Sequence, residues 1–279
     1  MKRIYYTLIL VLFSSIIVLG QSKKGTIVTE RVYSESLENK AGNNPERRVT
    51  IYLPPNYIKN SKEYPVMYYL HGFTWSDSLQ IAESHTDQLL DKAINKGIIR
   101  PMIVVMPDQH TLYRGSFYTN STFTGKWADF TAIDLVNFID KEYRTLAKRE
   151  SRGIAGHSMG GYGAIKIGMQ YPAVFSVVYG LSPAVLKNPF EPKHDVFKRI
   201  PELNTREQVI KGKAEWNSNA AIAMARAFSP NPDNPPFYID LPYAYRGKKL
   251  TIDYEVLELW NKQSPINMVS SHVDNLKRL

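Results

Sequence analysis

One serine of this chain stands in a local sequence that suits a nucleophile. Residues 156–160 read Gly-His-Ser-Met-Gly, so Ser158 lies between two glycines in a G-x-S-x-G pattern. A short apolar stretch precedes the pattern, and residues 162–169 are typical of a helix with small residues on its inner side. A serine at such a strand-to-helix junction sits on a tight turn beside a helix N-terminus. We therefore predict that Ser158 attacks an electrophilic carbon and carries a covalent intermediate.

A second feature could stabilise the negative charge that such an attack creates. The apolar run 64–70 is typical of a strand, and it ends abruptly in a His-Gly pair. In hydrolases with this kind of nucleophile, the loop after that strand supplies one backbone N–H to the oxyanion, and the residue after the nucleophile supplies the other. We assign these donors to Phe73, with Thr74 as the alternative, and to Met159. His71 precedes the serine in the chain, so we expect it to shape the turn rather than act as a base.

These motifs resemble those of the putative esterase group of α/β hydrolases. That group includes S-formylglutathione hydrolase, the feruloyl and acetyl-xylan esterases of carbohydrate esterase family one, and the mycolyltransferases. The resemblance rests on residues 70–73, 156–161 and 162–164, covers residues 45–185 well, and extends loosely to 228–237. It implies an α/β-hydrolase fold and hydrolysis of carboxylic esters through an acyl-serine intermediate. A small-molecule ester or a carbohydrate-linked ester is the expected substrate, and the motifs do not choose between them.

The remaining pattern predicts an α/β architecture with a mostly parallel sheet and flanking helices. Alternating residues indicate antiparallel strands at the edge, and continuous apolar runs indicate strands buried on both faces. The predicted strands are 26–32, 48–53, 64–70, 102–106 and 174–181, and the predicted helices between them are 86–96 and 130–143.

The segment 184–272 breaks this alternation. It is rich in proline and shows two helical patterns, at 214–227 and 255–262, but no clear buried strand. The resemblance suggests a lid-like insertion over the active site. Four aromatic side chains could line a pocket there or could anchor the insertion by packing, and packing is the commoner role of such residues; they are Tyr238, Tyr243, Tyr245 and Trp260.

A loop between the predicted strand 102–106 and the nucleophile offers two further candidates. In this architecture such a loop borders the site, so Tyr118 and Asn120 are possible substrate-binding residues. A polar surface loop with one packed aromatic residue is the alternative.

The histidine and the acid that a catalytic serine needs are not evident. In this fold they follow the serine on late strands, but only His194 and His272 follow Ser158, and neither follows such a strand. We therefore expect the C-terminal strands to be missing, the acid and histidine to lie beyond Leu279, and this form to have little activity. If the chain is complete, His272 with Asp240 or Asp253 is the alternative triad. A non-catalytic α/β-hydrolase-like module that binds a glycan is the competing function.

The N-terminus predicts export. Lys2 and Arg3 precede an uncharged apolar stretch that ends in small residues near Gly20, which is typical of a cleaved signal peptide. We assign residues 1–20 to the signal and 21–279 to one hydrolase domain in the periplasm or outside the cell. After cleavage, no stable membrane partner is expected. An uncleaved N-terminal anchor is the alternative.

Composition narrows the possible partners. The net charge is +9, but lysine and arginine are scattered and form no basic stripe with interleaved aromatic residues, so nucleic acid binding is not expected. The chain has no cysteine, which excludes disulfides and a lipid-bearing cysteine. Its histidines and acidic residues lack metal-ligand spacing, so neither a metal nor another cofactor is expected.

Overall fold

The computed structural model describes residues 23–211 and 216–279. The predicted signal segment 1–20 lies outside these ranges, as do the first two residues of the predicted helix 214–227. The strands within them are β1 Thr26–Tyr33, β2 Glu46–Leu53, β3 Val66–Leu70, β4 Ile103–Pro107, β5 Asn120–Ser121, β6 Gly125–Lys126, β7 Arg152–His157, β8 Val177–Leu181, β9 Tyr243–Arg246 and β10 Lys249–Ile252.

Along the chain, the helices lie between these strands or follow the last of them. They are α1 Asp77–Ala82, α2 Thr86–Asn95, α3 Trp127–Asp129, α4 Leu135–Glu142, α5 Met159–Gln170, α6 Val196–Arg199, α7 Arg206–Ile210, α8 Trp216–Phe228, α9 Tyr254–Lys262, α10 Pro265–Met268 and α11 Val273–Leu276. A π-helical turn, Phe130–Asp134, joins α3 to α4. Within the described ranges, no helix is long and apolar enough to cross a lipid bilayer.

A six-stranded sheet forms the centre of the molecule, in the order β1-β2-β4-β3-β7-β8. The β1–β2 and β2–β4 pairs are antiparallel, whereas β4, β3, β7 and β8 run parallel. All five residues of β4 are buried, as expected for a strand covered on both faces. The prediction of an α/β-hydrolase fold with a mostly parallel sheet is confirmed.

Two predicted elements begin three residues away from their predicted start. The strand predicted at 174–181 starts at Val177, because the preceding residues turn the chain after α5: the Val174 N–H donates to the Tyr171 carbonyl at 3.0 Å. The helix predicted at 130–143 starts at Trp127, whose fully buried indole donates to the Thr124 carbonyl at 2.9 Å.

The proline-rich segment 184–272 adds no strand to the central sheet within its described part. Its β9–β10 pair forms a separate two-stranded sheet. Trp260 is buried against the rings of Phe190 and Phe228, and its indole donates to the Ser229 hydroxyl at 2.8 Å. Tyr243 is also buried, against Phe197. These two aromatic residues therefore anchor the segment by packing.

Candidate active site

Ser158 occupies a strained backbone conformation between β7 and α5. Its φ of 56° and ψ of −116° are unusual for a residue with a side chain. Two hydrogen bonds hold the turn: the Ser158 N–H donates to the Leu181 carbonyl at 2.9 Å, and the Ala184 N–H donates to the Ser158 carbonyl at 3.0 Å. The end of β8 thus fixes the serine at the N-terminus of α5, as the motif predicts.

The flanking glycines allow α5 to approach the sheet very closely. A Cβ atom on Gly160 would lie 2.1 Å from the Leu70 carbonyl oxygen, and one on Gly156 would lie 2.4 Å from the Gly160 carbonyl. Real Cβ atoms do not approach other heavy atoms so closely, so no larger residue fits either position without moving backbone. The G-x-S-x-G pattern is therefore a packing requirement of this turn.

The loop after β3 lies beside the serine. A Cβ atom on Gly72 would lie 3.7 Å from the Ser158 Cβ. The Thr74 N–H already donates to the Arg114 carbonyl at 3.2 Å, whereas the Phe73 N–H has no acceptor among the described residues. Met159 is the first residue of α5, so its N–H has no carbonyl one turn earlier to bond. This arrangement favours Phe73 over Thr74 and leaves both predicted oxyanion donors free.

His71 ties this loop to the neighbouring strand. Its Nδ1 lies 2.8 Å from the Gly72 carbonyl, and its Nε2 accepts the Gln109 N–H at 2.9 Å. A carbonyl can only accept and a backbone N–H can only donate, so the ring is neutral with its proton on Nδ1. Burial lowers the pKa of His71, partly offset by the hydrogen bond to the Gly72 carbonyl and by Asp108 4.0 Å away. His71 therefore shapes the turn and is not available as a base.

A cavity of about 190 Å³ is lined in part by Ser158. Its walls are mostly aromatic or aliphatic, and the segment 184–272 contributes the larger share of them. Ser158, Asn217 and His194 supply polar groups. The apolar walls are Phe73, Phe117, Met159, Ala184, Val185, Pro189, Phe190, Trp216, Ala220 and Met224.

The structure places Tyr118 and Asn120 outside this lining. Tyr118 is completely buried, its ring lies under Gly163 of α5, and its hydroxyl donates to the His71 carbonyl at 2.8 Å. Asn120 is exposed, and its side-chain oxygen accepts the N–H groups of Ala128 and Asp129 at 2.9 and 3.1 Å. Neither residue lines the cavity of Ser158: Tyr118 supports the loop after β3, and Asn120 caps α3.

The alternative triad built on His272 does not assemble. His272 lines a different cavity, together with Gln170, and its Nδ1 lies 3.0 Å from the Met268 carbonyl. The Asp240 carboxylate accepts from Asn231 at 2.9 and 3.0 Å, and the Asp253 carboxylate caps α9.

The sequence does not indicate that His194 belongs to the site. Its position early in the insertion, before any further strand, gave no signal of a role in the site. In the structure it is the histidine that shares the cavity of Ser158, within the described part of the chain.

The sequence matches a protein-family model described as "Putative esterase" over residues 41–256. It is 33% identical over 147 residues to an esterase of Mycobacterium tuberculosis, covering 51% of this chain and 30% of that protein. It is also 33% identical over 130 residues to an endo-1,4-beta-xylanase/feruloyl esterase of Xylanibacter ruminicola, covering 45% of this chain and 18% of that protein. The chain thus spans less than a third of the length of these curated relatives.

A solved structure of a ferulic acid esterase is similar in fold. It superposes with a TM-score of 0.53 and 25% sequence identity, covering 74% of this chain and 73% of that one.

Proposed function

The chain belongs to this esterase family, and from that premise we propose that it hydrolyses carboxylic esters with Ser158 as the nucleophile. The observation that carries the proposal is the strained turn at Ser158, which holds the hydroxyl at the N-terminus of α5 and beside the loop of Phe73. A binding module would have no use for such strain, because the conformation serves to expose a reactive group.

The geometry supports the following sequence of steps. The Ser158 oxygen attacks the ester carbonyl carbon, and the carbonyl electron pair moves onto its oxygen, where the N–H groups of Phe73 and Met159 stabilise the negative charge. The C–O bond to the alcohol breaks, the alcohol leaves with a proton, and water then releases the acid from the acyl-serine. The serine proton needs a base. We assign that role to none of the described histidines.

The cavity supports an acyl group with a hydrocarbon body. Its aromatic and aliphatic walls stabilise apolar surface by removing it from water. The names of two relatives, a feruloyl esterase and a ferulic acid esterase, favour an aromatic acyl group carried on carbohydrate. We propose carbohydrate-linked esters as the substrate class on this basis.

We further propose that the protein is exported. The charged residues Lys2 and Arg3 and the apolar stretch that follows carry this proposal. N-terminal sequencing of the mature protein should find a start near Gln21. Retention of residues 1–20 would instead support an N-terminal anchor.

The nucleophile is tested with a fluorophosphonate probe and p-nitrophenyl acetate, using the protein expressed from its native coding region. We expect labelling and turnover in the wild type and in the control variant Ser271→Ala, whose serine is exposed and away from the cavity. Ser158→Ala should lose both, because no other residue can carry the acyl group. Labelling in Ser158→Ala would exclude the assignment. A wild type without labelling or turnover would favour the glycan-binding module.

A further inference from the structure

We propose that His194 is a substrate-recognition residue of the Ser158 cavity. It presents its Nε2–H as a hydrogen-bond donor to an oxygen on the acyl group of the ester. The proposal rests on the function proposed above, and it adds a specific chemical requirement to that function: an acyl group that combines an apolar body with one oxygen acceptor.

The local backbone fixes which nitrogen of His194 carries the proton. His194 stands just before α6, and its Nδ1 accepts the Val196 N–H at 3.1 Å. Its carbonyl accepts the Phe197 N–H at 3.2 Å, so the residue caps the first turn of that helix. Because a backbone N–H can only donate, Nδ1 keeps its lone pair, and the proton of the neutral ring is on Nε2.

The ring of His194 is also held in place by packing. It meets the buried ring of Phe190 edge to face, with centroids 5.2 Å apart. Phe190 in turn contacts the rings of Phe197 and Trp260 at 6.2 and 6.3 Å. A ring restrained by a cap on one side and an aromatic cluster on the other loses little freedom when it binds a ligand.

The Nε2 of His194 is the nitrogen left for a ligand. It has no hydrogen-bond partner among the described residues. The cavity that His194 lines has mostly apolar walls, with Ser158 and Asn217 as the other polar contributors. A donor in such surroundings discriminates strongly between ligands, because an acyl group without an acceptor leaves the N–H unpaired when it displaces water.

The same tautomer argues against His194 as the base that activates Ser158. A general base must offer a lone pair to the serine hydroxyl, and an Nε2 that carries a proton has none to offer. Moving the proton to Nδ1 would break the hydrogen bond from the Val196 N–H. The Val196 N–H would then face the N–H of the imidazole ring, and neither group could accept. The geometry therefore assigns His194 to recognition and leaves the base to another residue.

The donor is tested by binding, so that the result does not depend on turnover. Calorimetry on Ser158→Ala protein would compare the amide of 3-phenylpropanoic acid with its three ring-methoxy derivatives. We expect His194→Phe to weaken at least one methoxy amide by about 2- to 12-fold, the range for a neutral hydrogen bond, and to leave the unsubstituted amide within about twofold. His194→Gln, which keeps an N–H donor, should restore part of the loss. Equal weakening of all four amides by His194→Phe, or unchanged binding of all four, would overturn the proposal.

The tautomer is tested directly by long-range ¹H–¹⁵N spectra of the imidazole rings at pH 8. The His194 signals, identified by their absence in His194→Gln, should show the proton on Nε2. A proton on Nδ1 would overturn the proposal, as would a loss of ester turnover by several orders of magnitude in His194→Phe, the result expected of a base. A wild type without probe labelling at Ser158 would refute the proposed function but would leave these spectra and binding constants unchanged.

Discussion

At the level of single residues, the site depends on how closely α5 approaches the carboxyl end of β3. The helix begins directly at Met159, without a loop, so its first turn lies against the backbone of Leu70 and His71. The two glycines that permit this approach are as important as the serine, because the conformation of Ser158 persists only while its neighbours hold it.

Gly160→Ala should damage both stability and activity. Alanine is favoured over glycine in a helix by about 1 kcal/mol, but the new Cβ would lie 2.1 Å from the Leu70 carbonyl oxygen. Overpacking of this kind typically costs about 1–3 kcal/mol, and here the contact is with backbone that cannot rotate away. Urea unfolding and p-nitrophenyl acetate turnover measure the two effects.

Gly247→Ala is the matched control for that substitution. Gly247 has a φ of 60°, and a Cβ there would meet no atom within 4 Å. Gly247→Ala should lower the free energy of unfolding by about 1–2 kcal/mol because of the backbone conformation alone, and it should leave turnover unchanged. Equal turnover in the two variants would show that the close approach of α5 is not needed.

Protonation of His71 should destabilise the loop after β3 at low pH. Because burial lowers its folded pKa below the ordinary value of 6.5, the unfolded chain takes up a proton before the folded chain does. The stability contribution is therefore complete above pH 6.5 and is lost as the pH falls below it. His71→Asn keeps a donor near the Gly72 carbonyl and does not titrate, so it should lower the free energy of unfolding at pH 7 and flatten its decrease between pH 6.5 and 5.

His85→Asn provides the comparison for His71→Asn. His85 is exposed and has a φ of 49°, a conformation that asparagine tolerates. The stability of His85→Asn should depend on pH in the same way as that of the wild type. If His71→Asn keeps the wild-type slope, another group controls the acid sensitivity.

At the level of elements, α5 is fixed by a buried lysine as well as by its glycines. The Lys166 ammonium lies completely inside the protein and bonds the Thr119 hydroxyl at 2.7 Å, the Tyr162 hydroxyl at 3.2 Å and the side-chain oxygen of Gln263. It thereby joins α5 to the loop before β5 and to the residue after α9. Burial lowers its pKa to about 7.

Lys166→Met should change how stability depends on pH. Between pH 7 and 9 the unfolded chain holds the lysine proton and the folded chain releases it, so wild-type stability should rise with pH, by at most about 1.4 kcal/mol per unit. The variant should lose that slope. Unfolding free energies in urea at pH 7, 8 and 9 measure it, with the exposed Lys262→Met as the control. A slope that survives in Lys166→Met would contradict this account.

At the level of the whole molecule, the sheet is unevenly covered. Its parallel half ends at β8, and no further strand pairs with β8 within the described residues. Val177 and Tyr179 of this strand are 53% and 62% exposed, which is unusual for apolar residues of an α/β sheet. An exposed edge of this kind is a template for pairing with another strand.

The 279-residue chain should therefore associate with itself as its concentration rises. Tyr179→Lys places a charge on the edge and should shift the molecule toward the monomer in sedimentation velocity experiments. Ile98→Lys, at an exposed apolar residue away from β8, should leave the association unchanged. A wild type that stays monomeric at all concentrations would show that the edge is harmless in solution.

Features that depend on short-range sterics could be predicted from a few consecutive residues. A serine between two glycines at a strand-to-helix junction admits few backbone conformations, so the turn at Ser158 could be predicted from a handful of residues. The same holds for β3 and β4, whose short continuous apolar runs are typical of buried strands, and for α5, which begins at Met159, directly after the motif serine.

Which distant side chains share the cavity could be seen only in the folded chain. The place of Tyr118 in the chain allows either a substrate contact or packing, and the structure buries it beneath α5, because Gly163 leaves the space that its ring fills. His272 follows the serine in the chain but lies at another cavity, while His194, in a segment that adds no described strand to the central sheet, lines the cavity of Ser158. Such placements depend on contacts between residues far apart in the chain, and local propensity carries no information about those contacts.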